Sequence, residues 1–311
     1  MAVVALALAA ACLPFLYRRG CEVGMALPAQ QGDEAPAARP ARSPSTPSSA
    51  EAARKSARTR TAPPRLNIRS RIALVEDANT SEELLVKNPD RVVPIASITK
   101  LMTAMVVLDA KLPLEEMLRI SEEDRDLVMG TTSRLLVGWT LSRRDMLHLA
   151  LMSSENRAAA ALSRYYPGGR PAFIEAMNAK AAALGMTRTH FVNPNGLTNE
   201  NVSTAYDLAR LVRAAEEYPL IREFTTDPHA DVRVGRHVLS YVNSNRLVGR
   251  SDWDIDLQKT GFTNEAGRCV VMQIEAQGRT LIMVFLDADG KLTRFADARR
   301  ALMQLALAEK K

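Results

Sequence analysis

Ser97 and Lys100 stand three residues apart at the head of the apolar run "PIASITKLMTAMVVLDA". On a helix, residues i and i+3 share a face, so the Lys100 amine can reach the Ser97 hydroxyl. A serine hydroxyl is a weak nucleophile until a base takes its proton. For an amine to be that base near neutral pH, its pKa must fall by roughly three from about 10.4, at a cost of about 4 kcal/mol. Burial does this, and so does a nearby like charge. The apolar run supplies the burial. At a helix N-terminus the Ser97 backbone N–H is also free to help bind an oxyanion. A lone SxxK is equally an N-capping serine with a solvated lysine one turn on.

Two further stretches change that balance: Ser154-Glu155-Asn156 and Lys259-Thr260-Gly261. SxxK, SxN and KTG each occur once, in the order and rough spacing found in serine acyl-transferases that bind penicillin. Lys259 is the like charge that would hold Lys100 neutral. Ser154 and Asn156 fall at a turn between two helical stretches. There Ser154 suits a proton relay to a leaving amine, and Asn156 suits positioning Lys100 or a substrate amide. Lys259 and Thr260 lie on a strand whose alternation sends their side chains to opposite faces, and a cation with a hydroxyl suits a terminal carboxylate. Gly261, without a side chain, would let a substrate backbone lie along the strand edge.

The elements that must hold these residues are legible in outline. "RIALVED" and "ELLVKNP" read as short strands around a polar turn. Residues 97–110 are apolar nearly all round, as in a helix buried on most sides. "SRRDMLHLALMSSEN", "NRAAAALSRYY", "RPAFIEAMNAKAAALG" (stopped by Gly185) and "VSTAYDLARLVRAAEEY" read as helices. "HVLSYVNSN", "DLQKTGFT", "RCVVMQIEA" and "RTLIMVFLDA" read as strands, and "FADARRALMQLALAEK" as a closing helix. Strands at both ends of the chain around a helical middle predict an α+β plan: one antiparallel sheet with helices on its faces and a helical lobe.

Ahead of this region, residues 1–26 carry the apolar run "AVVALALAAACLPFL". It is shorter than the roughly twenty residues of a spanning helix and fits a signal-peptide core or an N-terminal anchor. Residues 27–64, rich in Pro, Ala, Ser and Arg, have too little apolar surface to fold and read as a disordered linker. Residues 65–311 are the expected catalytic domain. The net charge is +6, and four of those charges fall in residues 1–64, which hold eight Lys/Arg against four Asp/Glu. The nearly neutral body carries no aromatic-interleaved basic stripe, so nucleic acid is not an expected partner. Cys269 is the one cysteine of the body, and the four histidines show no ligand spacing, so neither a disulfide framework nor a metal or other cofactor is expected.

"PIASITKLMTAMVVLDAKLPLEE", "LALMSSENRAAAALSRYYPGG", "FVNPNGLTNENVSTAYDLARL", "YVNSNRLV" and "QKTGFTNEAGRCVVM" together resemble the D-alanyl-D-alanine carboxypeptidase family of low-molecular-weight penicillin-binding proteins, over residues 67–300. The resemblance implies a β-lactamase/transpeptidase-like fold with a five-stranded antiparallel sheet. It implies Ser97 as acyl-ester nucleophile, Lys100 as proton acceptor and Ser154 as third catalytic residue, with Asn156 in support. Lys259 and Thr260 would bind substrate, and the Phe262 backbone N–H would complete the oxyanion hole with that of Ser97. Glu155, where many relatives carry glycine, points to the endopeptidase branch. The short segment after the last strand leaves no room for the C-terminal domain and anchor helix of the larger carboxypeptidases. Membrane association, if any, falls to the N-terminus.

The activity expected is hydrolysis of D-alanyl–diaminopimelate cross-bridges in peptidoglycan, by a monomeric enzyme of the periplasm. The alternatives are trimming of pentapeptides by the same chemistry and a non-catalytic peptidoglycan scaffold. A β-lactamase of class A would need a glutamate to activate the deacylating water. The corresponding stretch reads "THFVNPNGL", without one, so β-lactams are expected as covalent inhibitors that stay attached to Ser97.

Overall fold

The computed structural model describes residues 67–308 except Val128. The expected signal or anchor segment and the linker lie outside the described residues.

Strand β1 (Ile72–Asp77) turns back into β2 (Glu83–Lys87). After a long excursion the chain returns as β3 (Asp254–Thr263), β4 (Gly267–Ala276) and β5 (Arg279–Ala288). These five strands form one antiparallel sheet in the order β2-β1-β5-β4-β3, so both chain ends build it and β3 is an edge. Side chains alternate across a strand, and here both faces are apolar. Ile72, Leu74, Ile282, Val284 and Leu286 enter one core. Ala73, Val75, Leu281, Met283 and Phe285 enter a second, closed by Phe295, Ala298 and Ala301 of the last helix, Thr293–Ala308.

The larger core is shared with the helices of the excursion. Helix α1 (Thr99–Asp109) is preceded by a 3-10 turn, Ala96–Ile98, and its residues 99–107 are all buried. Helices α2 (Arg143–Met152), α3 (Asn156–Arg164), α4 (Gly169–Ala183) and α5 (Ala205–Glu216) follow. Ser142 caps α2 by accepting from Asp145 N, and Thr204 caps α5 by accepting from Asp207 N, the role short hydroxyl side chains fill at a helix start. A further helix, Pro219–Thr226, begins on its proline. No helix among the described residues is long and apolar enough to cross a membrane.

One expectation fails. "HVLSYV" (His237–Val242) does not join the main sheet; it pairs with His229–Val234 in a separate two-stranded hairpin. Only Tyr241 of that strand is buried. Its alternation reflects one face laid on the lobe, through Trp139 stacked on His237 at 5.6 Å and Arg134 over the Tyr241 ring at 3.6 Å.

Candidate active site

Ser97 sits in the middle of the 3-10 turn and not at the first residue of α1. Lys100, one turn on, is the second residue of α1, and residues i and i+3 share a face there. Lys100 Nζ lies 2.7 Å from Ser97 Oγ, 2.7 Å from Asn156 Oδ1 and 2.8 Å from the Asn195 carbonyl. Its side chain has no solvent exposure. That desolvation holds its pKa well below the usual lysine range; the neighbouring Lys259 pushes the same way, and Glu155 opposes both. A neutral amine has two N–H donors and one lone pair. Two of its partners are carbonyl oxygens that only accept, so both donors go to Asn156 and Asn195. The lone pair is left facing the Ser97 hydroxyl.

Asn195 belongs to the stretch that lacks the deacylating glutamate. Buried Asn201 shapes this loop: its Oδ1 accepts from Val192 N and Asn193 N, and its Nδ2 donates to Asn193 O and Thr99 Oγ1. Thr103 Oγ1 donates to Pro194 O at 2.6 Å, tying the loop to α1. Gly196, at φ +80°, lies so close to the nucleophile's turn that a Cβ would stand 2.0 Å from Ala96 O. Ala96 itself has φ +47°, a left-handed conformation rare for residues other than glycine. The turn presenting Ser97 is therefore bent and braced from behind.

The Ser154-Glu155-Asn156 stretch is the turn between α2 and α3. Glu155 is the N-cap of α3 and accepts from Arg157 N. Asn156 is the first residue of α3; its Oδ1 receives Lys100 and its Nδ2 donates to Thr131 Oγ1. Ser154 has φ +65°. It lines a cleft of about 380 Å³ with Thr132, Arg134, Asn156 and Tyr241, and it makes no hydrogen bond to the Ser97–Lys100 pair among the described residues.

Lys259, Thr260 and Gly261 lie on edge strand β3. Lys259 is fully buried, with Nζ 3.1 Å from Thr260 O, and its pKa is lowered to about 7 by desolvation and by Arg294. Thr260 Oγ1 is 2.7 Å from Ser244 Oγ, and Ser244 N donates to Met152 O at the end of α2. Gly261 has a structural use of its own. A Cβ there would stand 2.9 Å from Ile95 O and 3.3 Å from Ser97 N, so the missing side chain makes room for the protein's own nucleophilic turn. Phe262, next on the strand, is half-exposed under the Arg268 guanidinium, 4.1 Å above its ring.

Two participants carried no clear sequence signal. The Asn195 carbonyl is backbone, which any residue type supplies; only the turn-forming N-P-N-G run marks its loop. Arg294 is buried with an unpartnered Nε, and its pKa is lowered to about 10, chiefly by burial and then by Arg268. With Lys259 it makes a desolvated cationic end to the site.

A sheet built from both chain ends, with a helical lobe and a serine–lysine pair between them, is the build of a serine acyl-transferase. The chain belongs to the peptidase S11 family, D-alanyl-D-alanine carboxypeptidase, whose sequence profile matches residues 57–290. It is 56% identical over 230 residues to a D-alanyl-D-alanine endopeptidase of Pseudomonas aeruginosa, covering 73% of this chain and 74% of that protein. It is 51% identical over 235 residues to a D-alanyl-D-alanine endopeptidase of Escherichia coli, covering 75% and 76%. Among solved structures it is similar to penicillin-binding protein D2 of Listeria monocytogenes in its cefotaxime-bound form, with TM-score 0.69 and 31% identity over 78% of this chain and 98% of that one. The protein is a serine-type D-Ala-D-Ala hydrolase of the penicillin-binding class.

Proposed function

We propose that the protein is an exported endopeptidase that cuts D-alanyl–diaminopimelate cross-bridges of peptidoglycan through a Ser97 acyl-enzyme. The observation that carries this reading is the placement of buried Lys100, with two carbonyls on its donors and its lone pair toward Ser97 Oγ. Ser97 Oγ attacks the penultimate D-alanine carbonyl as Lys100 takes its proton, and the backbone N–H groups of Ser97 and Phe262 bind the oxyanion. Ser154 relays the proton to the departing amine. Water then attacks the ester, returning its proton through Lys100 to Ser97 Oγ. Thr260, Lys259 and Arg294 hold the carboxylate of the leaving residue. That carboxylate draws Lys259 back toward its charged form, so binding near neutral pH is accompanied by proton uptake.

The endopeptidase assignment is supported by identities above one half to two proteins of that name, while the family description supports pentapeptide trimming as the second reading. Penicillin is a covalent inhibitor in this scheme. The loop that would carry a deacylating glutamate instead presents the Asn195 carbonyl to Lys100, so the penicilloyl ester persists. The apolar segment ahead of the described residues directs export to the periplasm.

The test gives residues 65–311, beside a Ser97→Ala control, a cross-linked muropeptide dimer together with a pentapeptide monomer. Conversion of dimer to monomers that requires Ser97 supports the endopeptidase reading. Shortening of the pentapeptide alone makes the enzyme a carboxypeptidase, and dependence on neither leaves the scaffold reading.

A further inference from the structure

The stretch Asn243-Ser244-Asn245, between the hairpin and β3, has no part in the mechanism above, yet it is built around one hydroxyl. Asn243 spends its whole side chain on holding it. Its Nδ2 donates to Thr225 O at 3.0 Å and to Asp227 O at 2.7 Å, and its Oδ1 accepts from Asn245 N and Gln258 Nε2, both at 2.9 Å. Gln258, the fully buried residue before Lys259, also donates to Thr225 O at 2.7 Å. Asn245 is buried, and its Oδ1 accepts from Leu247 N. Between the two asparagines, Ser244 N donates to Met152 O at 3.0 Å. The Ser244 backbone is thus tied to α2, to the helix Pro219–Thr226 and to β3, and its O–H remains free to rotate.

That hydroxyl meets Thr260. Thr260 Oγ1 donates to Ser244 Oγ at 2.7 Å, and the Ser244 proton has no acceptor among the described residues. Each hydroxyl has one proton, so in this arrangement buried Thr260 has spent its own on Ser244. A carboxylate only accepts; at Thr260 in this state it meets oxygen lone pairs and is repelled. Thr260 can hold the carboxylate of the leaving residue only when its O–H turns outward, and its oxygen then needs a donor from behind. Ser244 Oγ, with its proton uncommitted, stands at the distance of that donor. Both O–H groups turn without moving a heavy atom. The resulting chain, Ser244 to Thr260 to carboxylate, strengthens its outer bond by polarising it.

Resting on the peptidase reading, we infer that Ser244 is a positioning residue of the reaction: its hydroxyl accepts from Thr260 in the free enzyme and donates to Thr260 in the substrate complex. Ser244 acts through Thr260, and it favours a leaving residue with a charged carboxylate over one with a neutral carboxamide. A carboxamide has both a donor and an acceptor, so either orientation of the hydroxyl pair satisfies it and the reversal gains it little.

Two synthetic D-alanyl–diaminopimelate cross-bridge peptides test it, identical except that the carbon bearing the departing amine carries a carboxylate or a carboxamide. The readout is kcat and KM for their Ser97-dependent cleavage by the full chain. The wild type should prefer the carboxylate. In Ser244→Ala that preference should shrink roughly tenfold, mostly through KM and whatever the absolute rate, as expected when a charge-assisted hydrogen bond loses its support. Ser244→Thr, which keeps the hydroxyl, should restore part of it. In a Thr260→Val background, Ser244→Ala should change the preference no further, because the two residues act as one chain. A wild type indifferent to the two peptides, equal losses on both in Ser244→Ala, an unchanged preference, or an effect that persists in Thr260→Val overturns the role of Ser244 alone. Absence of Ser97-dependent cleavage of both peptides by the wild type overturns the peptidase reading, and the role of Ser244 with it.

Discussion

Gly196 and Ala96 touch through their backbones: a Cβ on Gly196 would stand 2.0 Å from the Ala96 carbonyl oxygen and 2.9 Å from Ser97 N. Gly261 approaches the same turn from the sheet side, with its hypothetical Cβ 2.9 Å from Ile95 O. The nucleophile's turn is thus clamped between a loop and a strand at two positions that admit no side chain. Gly196→Ala adds backbone strain at φ +80° to a contact with rigid backbone, and should cost about 3 kcal/mol of stability. Gly261→Ala has the smaller overlap and should cost less, while still moving β3 off the turn and slowing penicillin acylation at least tenfold. Thermal melts and labelled-penicillin kinetics check both. Wild-type acylation in Gly261→Ala would contradict the clamp.

Acylation should follow the protonation of Lys100. Its pKa lies well below the usual lysine value, so the rate of penicillin acylation should rise with pH along a limb centred far below 10.5. Glu155 favours the charged amine, so Glu155→Gln should move that limb to lower pH. Lys259 disfavours it, so Lys259→Met should move the limb to higher pH. Opposite displacements in pH–rate profiles identify the titrating group; a limb that neither variant moves does not belong to Lys100.

Lys259 should cost the fold stability. Its folded pKa is about 7, against about 10.4 in an unfolded chain. Below pH 7 the side chain is charged in both states, and the folded protein bears the full desolvation penalty. Between about 7 and 10.4 the unfolded chain holds a proton that the folded one lacks, so stability rises with pH across that window. Above it the penalty is gone. Lys259→Met should therefore be more stable than wild type by up to about 5 kcal/mol well below pH 7, with the gain shrinking to nothing above about 10.4. Denaturant titrations across pH measure this. A variant less stable than wild type at pH 7 would show that the contacts of the buried amine outweigh its desolvation cost.

The three motifs and the sheet were legible because their chemistry is written in residue type. A hydroxyl and an amine at i and i+3 in an apolar run have few structural uses, and β1, β4 and β5 are apolar on both faces because both are covered. What escaped was set by position and not by type. The Asn195 carbonyl bonds Lys100 through backbone that every residue has. The two clamping glycines look like any other turn or strand glycine until the turn they touch is placed. "HVLSYV" has a strand's composition, but composition does not name its partner, and it pairs locally with His229–Val234. Arg294 sits on a helix among other arginines, and only folding buries it beside Lys259.

Ser154 adopts φ +65°, where a Cβ is crowded and glycine is not. No hydrogen bond of its hydroxyl compensates among the described residues, so the strain is carried for the sake of the side chain or for none. Strain of this kind, about 1–2 kcal/mol, is found where function holds a residue against its backbone preference. Ser154→Gly should therefore raise stability or leave it unchanged, less the entropy that glycine adds to the unfolded chain. In the proposed mechanism the hydroxyl delivers a proton to the departing amine, so the same variant should lose at least tenfold in kcat on peptide substrates. Acylation by a β-lactam should fall less, because its amine remains tethered after the ring opens. Equal losses on both substrates would place Ser154 in serine activation, and no loss on either would leave its conformation without a catalytic reason.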